Sequence, residues 1–444
     1  MIEKYKAYTV PLFTALWIVF CWGFVEDELI PAFVPLRPYV MMLCDAVFLG
    51  LGFISIKTRG QIWIILSFAV LTILSAFVNY IGMVMTLNGV REFIGLLFVV
   101  PIIYRMLTSK HRERFVKSLD KQLFIFLALQ TICIPWQFIK YGLSDHGGGT
   151  LGNMHSGDVS TLMYAISFYL MTKRWDEGKS YLENIKSNIV LVLLLLPTFF
   201  NETKISLVYI MLYSVLLMRV NRRFILKIVV MSPLFLVVIL GAYSLYMSVA
   251  GQWSNGVFSE EGLEVYFFDS EELDLRIEVA EMAQEGYIVM DDDWVADLPR
   301  FAKIGLLPGV LKHTPGGMTL GAGVGQLKGT KVMDMPPFAK EYQWLLIGSR
   351  PTLFFILVQL GWLGLIWLIA DFGYILSFPI SVPKDLNVKL YVAAVFCCNL
   401  AYIDCYRNVA VCMVLFYMAM IGLQKRECKG LKKADEEPAV IQQG

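Results

Sequence analysis

Long apolar runs separated by short polar segments dominate the pattern along this chain of 444 residues. A helix needs roughly 20 mostly apolar residues to cross about 30 Å of hydrocarbon. The runs that reach or approach this length are about 8–24, 38–56, 61–84, 90–107, 122–139, 158–173, 188–201, 203–218, 224–247, 351–376, 388–404 and 408–424. The pattern therefore predicts an all-α polytopic integral membrane protein with about 12 transmembrane helices.

The composition places the chain in the same class. Hydrophobic residues make up 57% of the chain and charged residues 17%, against about 25% charged residues in a typical soluble domain. The net charge of +1 gives no indication of a nucleic-acid partner. Most of the eight cysteines lie in apolar runs and none forms a CxxC pair, so neither a disulfide framework nor a cysteine-rich metal site is expected.

The distribution of Lys and Arg predicts the orientation, because cytoplasmic loops of membrane proteins are rich in these residues. With the N-terminus inside, the inner segments hold 25 of the 38 basic residues, and the short outer loops hold five. The other eight lie in one long outer segment. This asymmetry supports twelve spans with both termini cytoplasmic. The N-terminal run lacks a small-x-small cleavage site, so it is expected to be a retained first helix.

These spans divide the chain into four regions: residues 1–247 with transmembrane helices 1–9, residues 248–350 as one large outer loop, residues 351–424 with transmembrane helices 10–12, and residues 425–444 as a cytoplasmic tail. Within the outer loop, "LDLRIEVAEMAQEG" predicts an amphipathic helix. The glycine-rich "GAGVGQLKG" lacks the flanking strand and helix of a dinucleotide site, and it predicts a tight loop above the membrane.

A charge pair interrupts the apolar stretch "VLLLLPTFFNETKISLVYIMLYSVLL" between the seventh and eighth spans. The orientation requires Glu202 and Lys204 to lie in a turn at the outer side. Asn201 would begin that turn, and Thr203 would cap the helix that follows.

Cations at the outer ends of spans are the candidates for a binding site, since charges near the membrane usually mark a pathway or a site. They are Lys204, Arg276, Arg91, Arg350 and Arg407. Arg and Lys bind phosphate oxygens through charge-assisted hydrogen bonds, so cations that converge at one face would suit a diphosphate group. The alternative for each is a plain anchor at the membrane interface or, for Arg276, an exposed helix residue. No two histidines have metal-ligand spacing, so no metal or other cofactor is expected.

Five stretches occur in a characteristic order: "GGGTLGNMHSGDVSTLMYAI", "FFNETKISLVYIML", "LDLRIEVAEMA", "LGAGVGQLKG" and "SRPTLFFILVQLGWLGLI". Together they resemble motifs of the superfamily of bacterial O-antigen and capsular polysaccharide polymerases and O-antigen ligases. The resemblance covers roughly residues 90–370. It implies a GT-C-like membrane fold in the bacterial inner membrane, with residues 248–350 as a large periplasmic loop.

The resemblance also implies an activity. In this family, an undecaprenyl-diphosphate-linked glycan donates its sugar to an acceptor hydroxyl without metal or nucleotide. The expected partners are the lipid-linked donor and acceptor, the bilayer, a chain-length regulator and a flippase. Arg276 would hold the phosphates of the donor, and Lys204 would stand where the family usually has Arg.

The chain departs from the ligases in the family, because Arg350 stands where they have a histidine before the tenth span. This favours a polymerase over a ligase and leaves the general base open, with His155, Glu202, His313 and Glu341 as the candidates. A transporter and a non-catalytic structural or regulatory membrane protein are the remaining alternatives. A transporter would place its substrate charges near the midplane of the membrane, together with internal repeats.

Overall fold

The computed structural model describes residues 2–142, 144, 146–201, 205–217, 300–329, 334–346, 348 and 350–423. The described part is built of helices joined by turns and contains no β-strand, apart from an isolated bridge between Ser144 and Asn201. The predicted ninth span, the predicted amphipathic helix of the outer loop and the C-terminal tail lie outside the described residues.

The first half of the described chain forms ten α-helices. They are α1 Ile2–Phe24, α2 Arg37–Phe53, α3 Arg59–Val78, α4 Met83–Val90, α5 Ile94–Leu107, α6 Arg112–Tyr141, α7 Ser156–Arg174, α8 Tyr181–Ser187, α9 Ile189–Leu193 and α10 Ile205–Leu217. A π-helical turn, Val25–Leu29, extends α1.

The second half adds three short helices and four longer ones. They are α11 Arg300–Leu311, α12 Gly317–Leu320, α13 Pro337–Glu341, α14 Gln343–Leu346, α15 Thr352–Ser377, α16 Pro383–Tyr402 and α17 Val409–Ala419.

Five segments are long and apolar enough to cross a membrane: Tyr5–Leu29, Pro31–Phe53, Arg59–Val78, Arg112–Tyr141 and Thr352–Ser377. A sixth results if the pair Tyr181–Ser187 and Ile189–Phe199, bent by 78°, is one span. Ile205–Leu217 and Val409–Ala419 are shorter apolar helices. The described residues thus form a mostly helical protein with five to six apolar helices that could span a membrane.

Three helices form the centre of the bundle. Nearly every side chain of α5 and α17 is buried, and α7 is buried from Ser156 to Thr172. A helix that is enclosed on all sides lies in the core of a large protein rather than at its surface. The central helix α7 carries polar residues that find partners inside: the Thr161 and Tyr209 hydroxyls lie 2.9 Å apart, and Tyr164 and Thr198 lie 2.9 Å apart.

Contacts between loops divide the helix ends into two groups. At one end, which we call the site end, Thr352 at the start of α15 donates to the carbonyl of Ile403 after α16 (2.8 Å). At the opposite end, Thr58 before α3 contacts Tyr374 near the end of α15 (2.8 Å), and the rings of Tyr5 and His111 lie 4.9 Å apart. Long helices therefore run in alternating directions between two distinct ends.

Helix α15 is broken at Gly361, whose backbone is non-helical with φ of +60°. The break frees the Val358 carbonyl, which accepts a hydrogen bond from Ala322 (2.7 Å) in the glycine-rich loop. A side chain at Gly361 would overlap the backbone of Met318 and Thr319. The glycine-rich loop is tight, as predicted, but residues 320–327 are buried against this break. The loop fills the gap that the broken helix leaves, and its place above the membrane stays a prediction.

Candidate functional site

Arg407 forms the centre of a group of charges at the site end. It lies in the short loop between α16 and α17, where its guanidinium donates to Glu92 (3.1 Å) and pairs with Asp404. The same guanidinium lies 4.9 Å from the centre of the Phe355 ring. Stacking on an aromatic face and pairing with two carboxylates hold a planar guanidinium in one orientation.

Two more cations lie close enough for their charges to act on one another. Burial lowers the pKa of Lys328, and the positive charges of Arg407, Arg37 and Arg350 lower it further. Burial also lowers the pKa of Arg350, with Arg407 as the next cause. Burial opposes the charge on Arg407 as well, but the carboxylates beside it outweigh this effect and raise its pKa. We call Arg37, Lys328, Arg350 and Arg407 the cation cluster.

The carboxyl group of Asp404 is the titratable member of this group. Burial raises its pKa to about 6, even though Arg407 opposes the shift. Its side chain is 6% exposed. Asp404 can therefore lose its charge under mildly acidic conditions, and its ion pair with Arg407 is then lost.

The broken helix and the glycine-rich loop position Glu92. Gln359, just before the break in α15, accepts a hydrogen bond from the backbone N–H of Gly325 (2.8 Å) and contacts Glu92 (3.4 Å) through its amide nitrogen. Gly325 has a φ of +93°, a region that favours glycine, and a side chain there would overlap the Met85 carbonyl. Close packing of this loop thus brings Lys328, three residues later, to the cation cluster.

A second network adjoins the cluster at the start of α7. The Nδ1 atom of His155 lies 3.0 Å from Asp158 Oδ2, and its Nε2 atom lies 3.3 Å from Arg37. The same Asp158 oxygen accepts a hydrogen bond from Asn408 (3.1 Å), the neighbour of Arg407. The two networks therefore share the α16–α17 loop and Arg37.

Three successive carboxylates in the π-helical turn after α1 link this turn to α2, to α6 and to the loop before α7. Glu26 pairs with Arg37 (2.7 Å) at the start of α2, and Glu28 pairs with Lys140 (2.9 Å) at the end of α6. Asp27 accepts a hydrogen bond from the backbone N–H of Asn153 (2.6 Å). π-Helical turns are rare and often lie at functional sites, because they re-aim successive side chains.

Two glutamines of α6 hold the "GGGTLGN" loop that leads to His155. Gln137 accepts from the N–H of Gly149 (2.7 Å) and donates to its carbonyl (3.2 Å). Gln130 accepts from the N–H of Thr150 (3.0 Å) and donates to its hydroxyl (2.7 Å). Buried amides that satisfy both polar groups of a loop residue fix the position of the loop. This part of the resemblance motif therefore has a structural role that places His155.

The structure brings together some of the predicted site residues and not others. Arg350 and Arg407 lie in the cation cluster, and His155 lies in the adjoining network. Arg91 instead donates twice to Asp45 of α2, at 2.8 and 3.1 Å. This ion pair ties Arg91 to α2, and its role in binding phosphate stays a prediction.

The other predicted residues lie elsewhere. His313 is exposed in the turn after α11, and Glu341 is exposed at the end of α13. Glu202, Lys204 and Arg276 lie outside the described residues, as does Thr203. Asn201, predicted to begin the turn, is buried and donates to the Ser160 hydroxyl (3.0 Å), which ties this turn to α7.

Four residues of the candidate site were not singled out from the sequence: Arg37, Glu92, Lys328 and Asp158. Two of them had a signal in the sequence: Arg37 lies in a predicted outer loop, and Glu92 follows a predicted outer cation. Lys328 is the second-last residue of the glycine-rich motif, but its approach to Arg407 depends on the break at Gly361. Asp158 lies inside an apolar run, where only the fold shows that it faces His155.

The arrangement is suited to binding an anion with several oxygens. The guanidinium groups lie beside carboxylates, with Glu92 and Asp404 at Arg407 and Glu26 at Arg37. An anion with several oxygens would compete with these carboxylates for the same N–H donors. Among the described residues, no three His, Cys, Asp or Glu side chains lie close enough together to hold a metal ion. No protein-family model matches the chain, and no curated protein matches it.

Proposed function

We propose that this protein is a membrane glycosyltransferase that joins undecaprenyl-diphosphate-linked repeat units into a surface polysaccharide, such as O-antigen, capsule or exopolysaccharide. The observation that carries the proposal is the convergence of Arg37, Lys328, Arg350 and Arg407 at one end of an apolar helical bundle. The resemblance of five sequence motifs to polysaccharide polymerases gives this anion site its substrate.

In the proposed reaction, the cation cluster binds the diphosphate of the donor. Charge builds up on the diphosphate as its bond to the sugar breaks, and preorganised cations stabilise that charge most where water is excluded. Arg407 is already held in place by Glu92 and Asp404, so little reorganisation is needed when the donor binds. The donor's lipid would lie along the apolar helices, with its headgroup at the site end.

The proposal includes a cellular setting. About 12 spans, a large periplasmic loop and cytoplasmic termini would place the site end at the periplasmic face of the bacterial inner membrane. The partners are then the lipid-linked donor and acceptor, together with a flippase that supplies the repeat units and a regulator of chain length.

Deletion of the gene followed by electrophoresis of the surface polysaccharide tests the proposed function. We expect loss of the long-chain ladder, while single repeat units remain attached to the lipid core. Complementation with the wild-type chain should restore the ladder. Loss of all repeat units from the core would instead indicate an O-antigen ligase, and an unchanged ladder would contradict both activities.

One observation favours transport as a second candidate. The break in α15 lies nine residues from its start, or about 14 Å along the helix axis. Transporters place interrupted helices near the midplane to bind their substrates. Arg37, Arg350 and Arg407 nevertheless lie at the ends of helices. Of the charged residues described above, only Glu92 contacts a residue beside the break, Gln359 (3.4 Å). Accumulation of repeat units on the cytoplasmic face of inside-out vesicles from the deletion strain would support transport, whereas accumulation on the periplasmic face supports polymerisation.

A further inference from the structure

His155 lies at the junction between the predicted donor site and the core of the bundle. It immediately precedes α7, and its side chain is 33% exposed, so one edge of the ring is accessible. Asp158, one turn further along the helix, is 8% exposed and lies against Nδ1 at 3.0 Å. A buried carboxylate behind a partly exposed imidazole is the arrangement that orients a histidine for proton transfer.

The partners of His155 assign its protons. A carboxylate only accepts hydrogen bonds, so Nδ1 must carry the hydrogen that is shared with Asp158. A guanidinium only donates, so Nε2 must present its lone pair to Arg37 at 3.3 Å. Both neighbours thus select the neutral tautomer with hydrogen on Nδ1 and a free electron pair on Nε2. This is the form of histidine that accepts a proton.

Asp158 is itself held in place from the neighbouring loop. Asn408 donates to Asp158 Oδ2 at 3.1 Å, and Asn408 Oδ1 accepts from the N–H of Ala410 to cap α17 (3.0 Å). Because Asn408 follows Arg407, the same loop fixes both the orientation of His155 and the centre of the cation cluster. A histidine held this way would keep a fixed position relative to a diphosphate bound at the cation cluster.

Arg37 covers the lone pair of His155 in the structure. Its guanidinium is shared between His155 Nε2 and Glu26, and its side chain is 43% exposed. Arg37 is also near enough to Lys328 for its charge to act there. An anion bound to the cation cluster would therefore attract Arg37 and uncover Nε2.

The geometry points to His155 as the general base that takes the proton of the attacking sugar hydroxyl, with Asp158 as its positioning residue and Arg37 as the group that uncovers Nε2 when the donor binds. This inference rests on the proposed function. It selects His155 from the four candidates that the sequence left open.

The chemical step balances with these groups alone. The acceptor oxygen forms a bond to the anomeric carbon of the donor, and the bond from that carbon to the diphosphate oxygen breaks. The electron pair of the broken bond leaves with the diphosphate, into the field of Arg350 and Arg407. The hydroxyl proton passes to Nε2, and the Asp158 carboxylate stabilises the imidazolium until the proton is released to water.

The test uses full-length protein in lipid nanodiscs and lipid-linked repeat units extracted from the deletion strain. The initial rate at which two repeat units are joined into a lipid-linked dimer is measured from pH 5 to 9. Binding of undecaprenyl diphosphate to the protein is measured in parallel. The variants are His155→Gln and Asp158→Asn. His146→Gln is the matched control, since His146 lies in the same loop and stacks on Tyr141 with 4.9 Å between ring centres.

We expect His155→Gln to slow dimer formation by about 10²–10⁴-fold, the usual contribution of a general base, with binding unchanged. Asp158→Asn should slow the reaction less and move the acidic limb of the pH–rate profile to lower pH. The reason is that a neutral amide no longer stabilises the protonated ring, whose charged neighbours among the described contacts are Asp158 and Arg37. His146→Gln should behave like the wild type.

Two results would overturn the inference while leaving the proposed function intact: a wild-type rate in His155→Gln, or a slower Asp158→Asn with an unmoved acidic limb. If His155→Gln proves unstable in a thermal melt, the profile of Asp158→Asn alone decides. Failure of the wild-type protein itself to form dimers would instead count against the proposed function.

Discussion

Arg407 donates a hydrogen bond to Glu92 at 3.1 Å, which joins two residues that lie 315 positions apart in the chain. Glu92 lies two residues before the start of the buried helix α5, and Arg407 directly precedes the N-cap of the buried helix α17. Helices α5 and α17 pack against each other, and this packing fixes the positions of Glu92 and Arg407 at the ends of the two helices. The ion pair thus sets the centre of the proposed diphosphate site.

Replacement of Arg407 by Ala should weaken binding of undecaprenyl diphosphate. A hydrogen bond to a charged group contributes about 1.5–3 kcal/mol, which corresponds to roughly 10–100-fold in affinity. Isothermal titration of the full-length protein in nanodiscs measures the change. Lys140→Ala is the matched control, because Lys140 pairs with Glu28 at the same end of the bundle (2.9 Å). Equal affinity in both variants would show that the cluster does not bind the headgroup.

Binding of the same lipid should become tighter as the pH falls from 7.5 to 5. Burial raises the pKa of Asp404 to about 6, so Asp404 is charged at the upper limit and neutral at the lower one. Once neutral, it no longer competes with the diphosphate for Arg407. The other charges that act on Asp404 are those of Arg407, Glu92, Arg350 and Asp158.

Asp404→Asn separates this effect from other titrations. The variant should bind tightly throughout the range, and its affinity should lose the part of the pH dependence that centres near 6. His155→Gln removes the one histidine in the adjoining network and should leave the Asp404 effect in place. An identical pH dependence in Asp404→Asn and the wild type would refute the assignment.

Gly361→Ala should destabilise the protein. The φ of +60° at this position is strained for any residue with a side chain, at a cost of about 1–3 kcal/mol. The added methyl group would also overlap the backbone of Thr319. Gly373→Ala in the same helix is the control, since a side chain there meets nothing within 4 Å; it should gain about 0.5–1 kcal/mol of helix stability. Thermal melts of the two variants should therefore shift in opposite directions.

Gln137→Leu should disturb the loop that carries His155. The change leaves the N–H of Gly149 without its partner in a buried setting, at about 1–3 kcal/mol, while the Gly149 carbonyl keeps only the N–H of Gly152 (3.2 Å). Slower chain extension with near-normal binding of undecaprenyl diphosphate is the expected result. Gln122→Leu on the same helix is the control, because the one hydrogen bond of its amide within the described part of the chain is to Ser118, one turn earlier in that helix (3.3 Å). Equal rates in the two variants would mean that the loop tolerates the loss.

The sequence predicted the helical class and much of the helix pattern, because apolar run length and the positions of basic residues depend on local composition. Arg350 and Arg407 could be predicted as site residues for the same reason: charges beside apolar runs stand out. Arg91 stood out equally, but its partner Asp45 lies inside an apolar run of another helix, and only packing brings the two together. The break at Gly361 was equally hidden, since glycine is common in membrane helices.

Lys328 shows most clearly what the sequence could not give. Its place in the cluster requires the glycine-rich loop to enter the gap in α15, which in turn requires left-handed glycines at Gly323 and Gly325. No single segment contains that information. The general base was open for a similar reason, because the choice of His155 depends on Arg37, which lies 118 positions earlier in the chain, as well as on the nearby Asp158.

The joining of repeat units by the purified protein tests the central claim most directly. Full-length protein in nanodiscs is mixed with lipid-linked repeat units from the deletion strain, and the products are separated by mass. We predict that repeat units are joined into lipid-linked dimers and longer chains, with undecaprenyl diphosphate released in equal amount to the bonds formed. At low donor concentration, Arg407→Ala should give much less of both products. Intact single repeat units after incubation with the wild-type protein would contradict the account.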